Sequence, residues 1–485
     1  MAPPIAILTR SERPTEWELA VQTSLLDSGR HIVTWPAGKT AEAMRSQVPG
    51  VDLLIDLSEN GAGFSLAGKL GIPIWLLCHG PDIRFDLCDS MKAGFVAREP
   101  FIELRLIEWR AETGSARPLC LHRLRRRKTP ERSIAAVRSA ARDWFTDALK
   151  GPRILSASGS REVRVTRGIA PAPWRLKAAT LASLAGVAAD LFTMEEWNVG
   201  TVPGGPEQVF KHGLIDRAKW LPSAGRFRFR SDPFGWRDED GRTILLYEAF
   251  DYRDGKGRIV RNVDGQEEVI GDFPYHAAYP YLIESDGQRH AIPELSEMAC
   301  PAAYPVTRTS PKWTLEGIPL KGLEDVPLSD GTVFHHGDRF WLFGMRSNQE
   351  SGTVLHAWHA PARLGPWTPH ERNPIKIDIT SSRPGGTPFM WQGDLIRPAQ
   401  DCSTTYGAAI VLNRIDVLTP AAFEETTIAR ITPDRNSPYP DGAHTLNVAN
   451  GMILLDAKRH RRHPLAPYYR WRRMQLSKRR AIVPS

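Results

Sequence analysis

Three carboxylates in the second half of the chain are of the type that glycoside chemistry needs. Asp232 precedes a proline, Glu294 follows an Ile-Pro pair, and Asp330 precedes a glycine. In such a set one carboxylic acid protonates the leaving oxygen, and one carboxylate acts as base or nucleophile. Crowded carboxylates also raise one another's pKa, which a general acid requires. We predict that these three residues are catalytic, although an aspartate at such a position also commonly caps a turn.

A second group of polar residues is suited to holding a polar ligand. Arg383 and Arg397 each precede a proline, and Gln400 and Asp401 follow the second of these pairs. Such groups are costly to bury on an inner strand without partners. Arginine makes forked contacts to a carboxylate, a phosphate or a sugar diol. We predict that Arg383, Arg397, Gln400, Asp401 and His444 bind substrate.

Five similar hairpins position these residues. Each has an apolar strand, a tight turn and a second apolar strand, and the turn glycines are Gly241, Gly287, Gly337, Gly393 and Gly451. The pairs that begin at Asp240, Asp286 and Asn450 are strong hairpin signals, because these turns need a positive φ. A strand repeat of roughly fifty residues is typical of propeller blades. The sequence therefore predicts a five-bladed β-propeller over residues 196–460.

The propeller brings the starts of its innermost strands together at one end of the central axis. In the repeats these starts include Asp232, Asp330 and His444, while Glu294 and Asp401 leave second strands. We therefore expect the catalytic and binding residues to share one axial funnel.

Residues 1–150 show a different pattern, in which short apolar strands alternate with helices. Strands are predicted at 5–8, 31–35, 51–57 and 72–77, with a closing helix at 130–149. This alternation indicates a parallel sheet in an α/β domain. No GxGxxG follows the first strand and no GxxxxGK[ST] is present, so dinucleotide and P-loop chemistry are not supported. Residues 151–195 are predicted to be a connector.

The positive charge of the chain is concentrated near its C-terminal end. The 485 residues include 63 Lys and Arg against 55 Asp and Glu, and residues 457–485 hold ten Lys and Arg with no acidic residue. We interpret residues 461–485 as a basic tail, for which an anionic membrane surface is one conceivable partner. Nucleic acid is disfavoured, because aromatic residues are sparse there and no nucleic-acid motif is present.

Composition excludes further classes. With 41% hydrophobic and 24% charged residues the chain is not disordered, and no segment approaches the ~20 apolar residues that span a bilayer. The five cysteines form no CxxC pair, and the N-terminus is typical of a first strand and not of an export signal. We expect a cytoplasmic protein with no metal and no cofactor, and the oligomeric state stays open.

The blade motifs resemble a known family. The segments are 231–234 (SDPF), 278–281 (AYPY), 382–386 (SRPGG), 397–407 (RPAQDCSTTYG) and 442–447 (GAHTLN). They resemble the five-bladed propeller domain at the N-terminal side of plant glucosamine inositolphosphorylceramide transferases and its bacterial relatives. That domain is similar in turn to the arabinanase, levansucrase and invertase superfamily of propeller glycosidases.

The resemblance implies roles for the three carboxylates. In the superfamily the aspartate of a first-blade Asp-Pro pair is the nucleophile or base, which implies this role for Asp232. A later-blade aspartate orients substrate and tunes a pKa, which implies Asp330, and a glutamate is the general acid, which implies Glu294. The transferase activity of the plant family resides in a separate domain, so a catalytic role of the propeller is not itself implied.

The N-terminal domain has a weaker resemblance of its own. Residues 51–58 (VDLLIDLS) and 71–80 (GIPIWLLCHG) are similar to the N-terminal, Rossmann-like domain of formyltransferases. Of that family's Asn-His-Asp triad only the histidine has a match, at His79. The resemblance implies formyl transfer as one alternative function.

Together these patterns favour a carbohydrate-active protein. The leading hypothesis is a glycosidase or transglycosidase that acts on a carbohydrate or glycolipid in the propeller funnel. One alternative is a non-catalytic glycan or sugar-nucleotide binding module of a biosynthetic pathway, and another is formyl transfer by the N-terminal domain.

Overall fold

Two compact units make up the chain. The computed structural model describes residues 3–80, 84–153, 166–285, 287–295, 298, 300–314 and 316–481, and it divides into Met1–Val187 and Ala188–Ser485. The predicted turn residue Asp286, positions 154–165 of the predicted connector and the last four positions of the predicted tail lie outside the described residues.

The first unit contains one mixed sheet with helices between its strands. Its elements are β1 Ile5–Thr9, α1 Glu16–Leu26, β2 Ile32–Pro36, α2 Ala41–Gln47, β3 Leu53–Asp56, α3 Ala62–Leu70, β4 Ile74–His79, α4 Leu87–Val96, β5 Phe101–Arg110, β6 Ser115–Arg125, α5 Pro130–Ala141 and α6 Trp144–Leu149. Helix α7, Pro173–Leu191, follows.

The strand order of this sheet is β2-β1-β3-β4-β5-β6. Strands β1 to β4 are parallel, which confirms the α/β pattern predicted for this region. Strands β5 and β6 extend the sheet as an antiparallel hairpin that the sequence analysis did not predict. Buried and partly exposed positions alternate along much of β5, so it lacks the continuous apolar run of the buried strands.

The second unit is built from strands. It begins with β7 Thr193–Pro203, the short helix α8 Pro206–Val209, a 3₁₀ turn at Ile215–Arg217 and β8 Lys219–Trp220. The remaining strands are β9 Arg228–Arg237, β10 Thr243–Asp251, β11 Lys256–Val263, β12 Gln266–Gly271, β13 Ala277–Ser285, β14 Gln288–Leu295, β15 Ala302–Pro305, β16 Ile318–Pro319, β17 Leu328–His336, β18 Arg339–Arg346, β19 Val354–Ala360, β20 Thr368–Pro369, β21 Lys376–Ile377, β22 Phe389–Trp391, β23 Asp394–Asp401, β24 Ala409–Leu418, β25 Phe423–Ile431, β26 Leu446–Ala449 and β27 Met452–Arg462. Helix α9, Ala466–Ala481, ends the described chain.

These strands form five antiparallel sheets, the blades of the predicted five-bladed propeller. Blades one to four are β9–β12, β13–β16, β17–β20 and β22–β25. The predicted hairpins join the first and second strand of each blade, and the five turn glycines all have positive φ. The repeat was therefore interpreted correctly, because each turn must reverse the chain within two or three residues.

Blade five closes the ring with strands from both ends of the unit. Its order is β26-β27-β7-β8, and β27 pairs with β7 over eleven residues, from Met452–Pro203 to Arg462–Thr193. The propeller therefore begins at β7, a few residues before the predicted boundary at 196, and ends at Arg462.

The apolar core of the propeller lies between neighbouring blades. Phe234 of blade one packs with Tyr279 and Tyr281 of blade two, and Val199 of blade five packs with Leu245 of blade one. Because an inner strand is covered on both faces, a strand such as β10 is buried along nearly its whole length, whereas the outer β12 and β25 are partly exposed.

The segment predicted as a basic tail is ordered where it is described. Arg461 and Arg462 end β27, and residues 466–481 form α9. Lys458, counted among the basic residues near the end, is fully buried and pairs with Glu195 at 2.6 Å. The blade therefore extends two residues into the predicted basic tail, because β27 pairs with β7 as far as Arg462, and the tail continues as α9.

Candidate functional site

A cavity of about 510 Å³ opens at the centre of the propeller. Every blade contributes to its wall: the lining includes Ser231 and Glu248 of blade one, Glu294 of blade two, Ser329 and Met345 of blade three, Arg383 and Tyr406 of blade four, and Trp197 and His444 of blade five. The starts of the innermost strands thus converge, as the repeat predicted.

Three successive blades bend their innermost strand at the same place. Asp232, Tyr279 and Asp330 have φ values of 54°, 43° and 51°, and at each of them the pairing with the second strand shifts register. A positive φ in such residues costs on the order of 1–3 kcal/mol and persists only where the surroundings hold it. β-Bulges of this kind re-aim side chains beside active sites.

Carboxylates hold all three bulges from the neighbouring element of the ring. The backbone N–H of Asp232 donates to Oδ2 of Asp456 at 2.8 Å, and that of Tyr279 donates to Oδ2 of Asp232 at 3.3 Å. The backbone N–H of Asp330 donates to Oε2 of Glu294 at 3.3 Å. Asp232 and Glu294 therefore position the next blade as well as facing the centre.

Asp232 is a buried carboxylate in contact with a cation. Its Oδ1 lies 3.2 Å from Nε2 of His444 and accepts a hydrogen bond of 2.9 Å from the Thr445 hydroxyl. Burial acts to raise the pKa of Asp232, but the His444 charge and these hydrogen bonds outweigh it and lower the pKa below its ordinary value. Asp232 is therefore ionised at neutral pH.

His444 is held between two carboxylates. Its Nδ1 lies 2.7 Å from Oδ1 of Asp456, opposite the contact to Asp232. Burial alone would lower the pKa of His444, but the charges of Asp456 and Asp232 raise it to about 10. The ligand atoms of Asp232, His444 and Asp456 lie within 4.8 Å of one another. In the structure the three side chains form an ion-pair chain that runs from Asp232 through His444 to Asp456.

Asp330 and Arg383 form the second charged pair at the centre. Nε of Arg383 lies 2.6 Å from Oδ2 of Asp330, although the N–H does not point along this line as in a hydrogen bond, and Nη2 of Arg383 lies 3.9 Å from Glu294. Burial and the charges of Glu294 and Asp232 raise the pKa of Asp330 against the lowering effect of Arg383.

The Arg383 guanidinium is also fixed on its other sides. It stacks over the Tyr406 ring at 5.1 Å and donates from Nη1 to the Ser351 hydroxyl at 2.9 Å. Its planar group is thus oriented before any ligand arrives, which is the property that a binding arginine needs.

Glu248 is the cavity residue that the sequence analysis missed as a catalytic candidate. Its Oε2 accepts a 2.7 Å hydrogen bond from the Ser231 hydroxyl, while Oε1 has no hydrogen-bond partner among the described residues. Burial and the charge of Asp232 raise the pKa of Glu248 to about 8. Glu248 and Glu294 stand at equivalent places, each just beyond the bulge of its blade, so the repeat register could have identified it.

Of the eight predicted site residues, five reach the central cluster and three do not. Asp232, Asp330, Glu294, Arg383 and His444 are brought together. Arg397, Gln400 and Asp401 lie inside blade four.

The placement of Arg397 corrects its prediction as a substrate ligand. Its Nε and Nη2 donate to the two oxygens of Glu425 at 2.8 and 2.6 Å, and Nη2 also donates to the Ser381 carbonyl at 2.7 Å. This pairing lies away from the cavity. A buried arginine needs partners, as the sequence analysis argued, but the partners of Arg397 are Glu425 and Ser381 and not a substrate.

Gln400 and Asp401 also support the fold instead of lining the cavity. Gln400 donates from Nε2 to the Pro384 carbonyl at 2.7 Å, beside Arg383. Asp401 pairs with Arg430 and accepts the Ser403 N–H at 2.8 Å. Together they shape the segment from 402 to 407 that carries Tyr406 to the cavity.

Helix α9 supplies one further cavity residue, Arg473. Its guanidinium lies over the Phe250 ring at 5.2 Å, and Phe250 itself lines the cavity. No motif signalled this contact, because it depends on where α9 packs.

Part of the propeller is similar to a described protein family. The family model "Glucosamine inositolphosphorylceramide transferase 1, N-terminal" matches residues 254–448. This range includes Glu294, Asp330, Arg383 and His444, and it begins after Asp232 and Glu248.

Curated relatives carry the same name. The chain is 31% identical over 222 residues to glucosamine inositolphosphorylceramide transferase 1 of Oryza sativa subsp. japonica, which covers 43% of this chain and 29% of the relative. It is 31% identical over 231 residues to the protein of that name from Arabidopsis thaliana, covering 44% and 29%. The chain thus spans less than a third of the length of these relatives.

Solved structures with weaker similarity include glycoside hydrolases. A thermostable family-43 glycoside hydrolase aligns with a TM-score of 0.31 and 14% identity, over 42% of this chain and 78% of that one. The exo-β-1,3-galactanase of Phanerochaete chrysosporium with galactose aligns with a TM-score of 0.34 and 8% identity, over 44% and 55%.

Proposed function

We propose that the second unit is a carbohydrate-active enzyme that cleaves or transfers a glycosidic bond in the central cavity. The observation that supports this most is the separation of two neighbouring carboxyl groups by their surroundings. The pKa of Asp232 is lowered and that of Glu248 is raised to about 8. At neutral pH one is a carboxylate and the other an acid, which is the division of roles that glycoside chemistry uses.

The chain's own residues supply the parts of the reaction. Glu248 donates its proton to the leaving glycosidic oxygen, and Asp232 acts as base on a water or as nucleophile at the sugar. Arg383, oriented by Asp330, Ser351 and Tyr406, holds a polar group of the substrate. Glu294 supports the Asp330 bulge, so in this proposal the general acid is Glu248 and not the Glu294 of the sequence prediction.

The substrate class is proposed from the relatives. Their name refers to glucosamine and inositolphosphorylceramide, so we propose a glycan or glycolipid substrate in polysaccharide or glycolipid metabolism. The cytoplasmic location expected from the sequence stays a prediction.

Turnover of a panel of aryl glycosides and oligosaccharides by wild type and two variants tests the enzyme. We expect Glu248→Gln and Asp232→Asn to lower kcat/KM by about 10²–10⁴-fold, since each removes a proton-transfer group. The control variants Glu316→Gln and Asp264→Asn, at exposed positions, should keep wild-type rates. Equal turnover by Glu248→Gln and wild type would refute the assignment.

A non-catalytic glycan-binding module is the second candidate, and one observation favours it. Both oxygens of Asp232 already accept hydrogen bonds from the protein, from Thr445 and from the N–H of Tyr279. A carboxylate so engaged is less available as a base. This candidate predicts glycan binding by calorimetry with no product, and Arg383→Ala should abolish that binding.

Formyl transfer by the first unit stays a prediction. His79 ends β4 and is buried, with its Nε2 3.3 Å from Oε2 of Glu99. Binding of a reduced folate to the full chain, and its loss in His79→Ala, would support it.

A further inference from the structure

Large apolar side chains are exposed on and beside helix α9. Leu465, Tyr468, Trp471 and Met474 keep 47%, 48%, 55% and 57% of their surface exposed. We call these four residues the α9 face. Tyr468, Trp471 and Met474 recur at three-residue steps along the helix, and the rings of Tyr468 and Trp471 lie 6.2 Å apart, so neighbouring side chains of the α9 face adjoin.

The opposite side of this helix is anchored to the propeller. Arg470 donates to the Thr193 carbonyl at 2.7 Å, and the Tyr469 ring packs 5.2 Å from Phe227. Arg473 lies over Phe250 at the cavity. The α9 face is therefore turned outward by contacts that fix the helix, and its exposure does not result from a missing attachment.

The exposed surface continues beyond the helix. The backbone N–H of His463 donates to the Phe192 carbonyl at 2.8 Å, which joins the chain before α9 to the end of α7. Leu191 and Phe192 are themselves 43% and 50% exposed. Patches of this kind mark interaction sites more often than ordinary surface.

Charge identifies the surface that would cover this patch. Residues 457–485 contain ten Lys and Arg and no Asp or Glu, and six of the ten lie in α9. A helix with tryptophan, tyrosine and leucine on one side and basic residues elsewhere is typical of helices that lie in the interface of an anionic bilayer. No helix in the described ranges is long and apolar enough to cross one.

We propose that α9 docks the protein on an anionic lipid bilayer, with the α9 face in the headgroup region and the net positive charge of the segment attracted to lipid phosphates. Arg473, on the anchored side of the same helix, lines the cavity, so α9 joins the cavity wall to the docking surface. The docking itself does not depend on whether the cavity is catalytic.

Co-sedimentation of the full chain with vesicles tests the docking. Wild type should bind vesicles of phosphatidylcholine mixed with phosphatidylglycerol and bind pure phosphatidylcholine much more weakly. The Trp471→Ser, Met474→Ser double variant should lose at least about tenfold in binding to the mixed vesicles. Met390→Ser is the matched control, because Met390 is 58% exposed on blade four and should bind like wild type.

A charge variant provides the second arm. Replacing Lys478, Arg479 and Arg480 by glutamine removes three positive charges from the segment and should lower binding to the mixed vesicles about a hundredfold, at about fivefold for each charge. Binding to pure phosphatidylcholine should hardly change. Arg237→Gln, at an exposed site on blade one, should leave both unchanged.

The outcomes separate docking from catalysis. Equal vesicle binding by wild type and both α9 variants would overturn the proposal. The proposal would also be overturned if the wild type does not bind vesicles but forms a dimer in sedimentation velocity, and if the Trp471→Ser, Met474→Ser double variant dissociates that dimer. Turnover of a soluble glycoside should be unchanged in these variants, so loss of docking and failure of the proposed enzyme activity are measured independently.

Discussion

Blade four contains two arginines with the same local sequence and opposite surroundings. Arg383 and Arg397 each precede a proline and are both buried. Arg397 is paired at two nitrogens with Glu425, which Lys376 also contacts at 2.6 Å. Arg383 lies at the cavity. It contacts the carboxylate of Asp330, lies 3.9 Å from that of Glu294 and stacks over the Tyr406 ring.

The two clusters differ in whether their charges are compensated. The charges of Arg397 and Lys376 outweigh the effect of burial and lower the pKa of Glu425 to about 2, so that cluster is a closed set of ions. At the cavity Oε1 of Glu248 lies 3.6 Å from Nε2 of His276, a longer contact than those to Glu425, and burial and the charge of Asp232 raise the pKa of Glu248 to about 8. Burial of charge alone therefore does not mark a functional site; a weakly compensated group facing a cavity does.

The largest effect on stability should come from breaking the closed cluster, by which we mean Glu425, Arg397 and Lys376. Glu425→Ala leaves the buried Arg397 without a carboxylate and the half-buried Lys376 with only Asp378, 3.9 Å away, and we expect the free energy of unfolding to fall by about 3–5 kcal/mol. Urea unfolding followed by circular dichroism measures this, with exposed Glu316→Ala as the control. A loss below about 1 kcal/mol would show that the pair is not closed to water.

The raised pKa of Glu248, at the cavity, should make the stability of the fold depend on pH. The pKa of Glu248 is about 8 in the fold against 4.5 in the unfolded chain, so between these values the folded state binds more protons. Its free energy of unfolding should then fall as pH rises, by at most about 1.4 kcal/mol per pH unit. Glu248→Gln lacks this dependence, so its stability relative to wild type should improve from pH 5 to pH 8. A difference that is flat with pH would contradict the raised pKa.

Replacing each arginine by lysine should separate binding from structure. Arg383→Lys keeps the charge but loses the planar group on Tyr406, and glycan affinity measured by calorimetry should fall about tenfold, or about 1.4 kcal/mol. Arg397→Lys should leave that affinity unchanged and lower only stability. A loss of glycan affinity in Arg397→Lys, with none in Arg383→Lys, would support the substrate-binding role that the sequence predicted for Arg397.

The smallest effect should come from the pair at the edge of the same blade. Arg430 contacts Asp401, but its side chain is 45% exposed. We expect Arg430→Gln to change the free energy of unfolding by no more than about 1 kcal/mol in urea, with no effect on glycan affinity. A larger loss of unfolding free energy would show that the Arg430–Asp401 pair contributes to stability as the buried pairs of Glu425 do.

Repeated local features made the fold predictable. The turn glycines, such as Gly241 and Gly451, and the apolar strands around them are local signals, and the five blades followed from their recurrence. Convergence of Asp232, Asp330 and His444 then followed from propeller geometry. The closure of blade five by β7 was not predicted, because pairing across some 250 residues leaves no local signal.

The details of the site depended on contacts that spacing does not encode. Arg383 and Arg397 could not be told apart, since only the packing of β25 decides which of them meets Glu425. Arg473 was assigned to a tail because its charge suggested solvent. Glu248 was available from the repeat register, since the predicted Glu294 stands at the equivalent place in blade two.

The ring closure described for blade five also sets the order in which the site can be completed. Strand β7 is synthesised at the start of the propeller, but its main partner β27 leaves the ribosome about 250 residues later. Until then the edge of β7 has no neighbour on that side, and His444, which β27 positions through Asp456, is absent from the centre. Contacts this distant in sequence form late and slow the folding of a chain. The nascent protein therefore passes through a stage in which four blades can exist before His444 and Asp456 complete the charged centre.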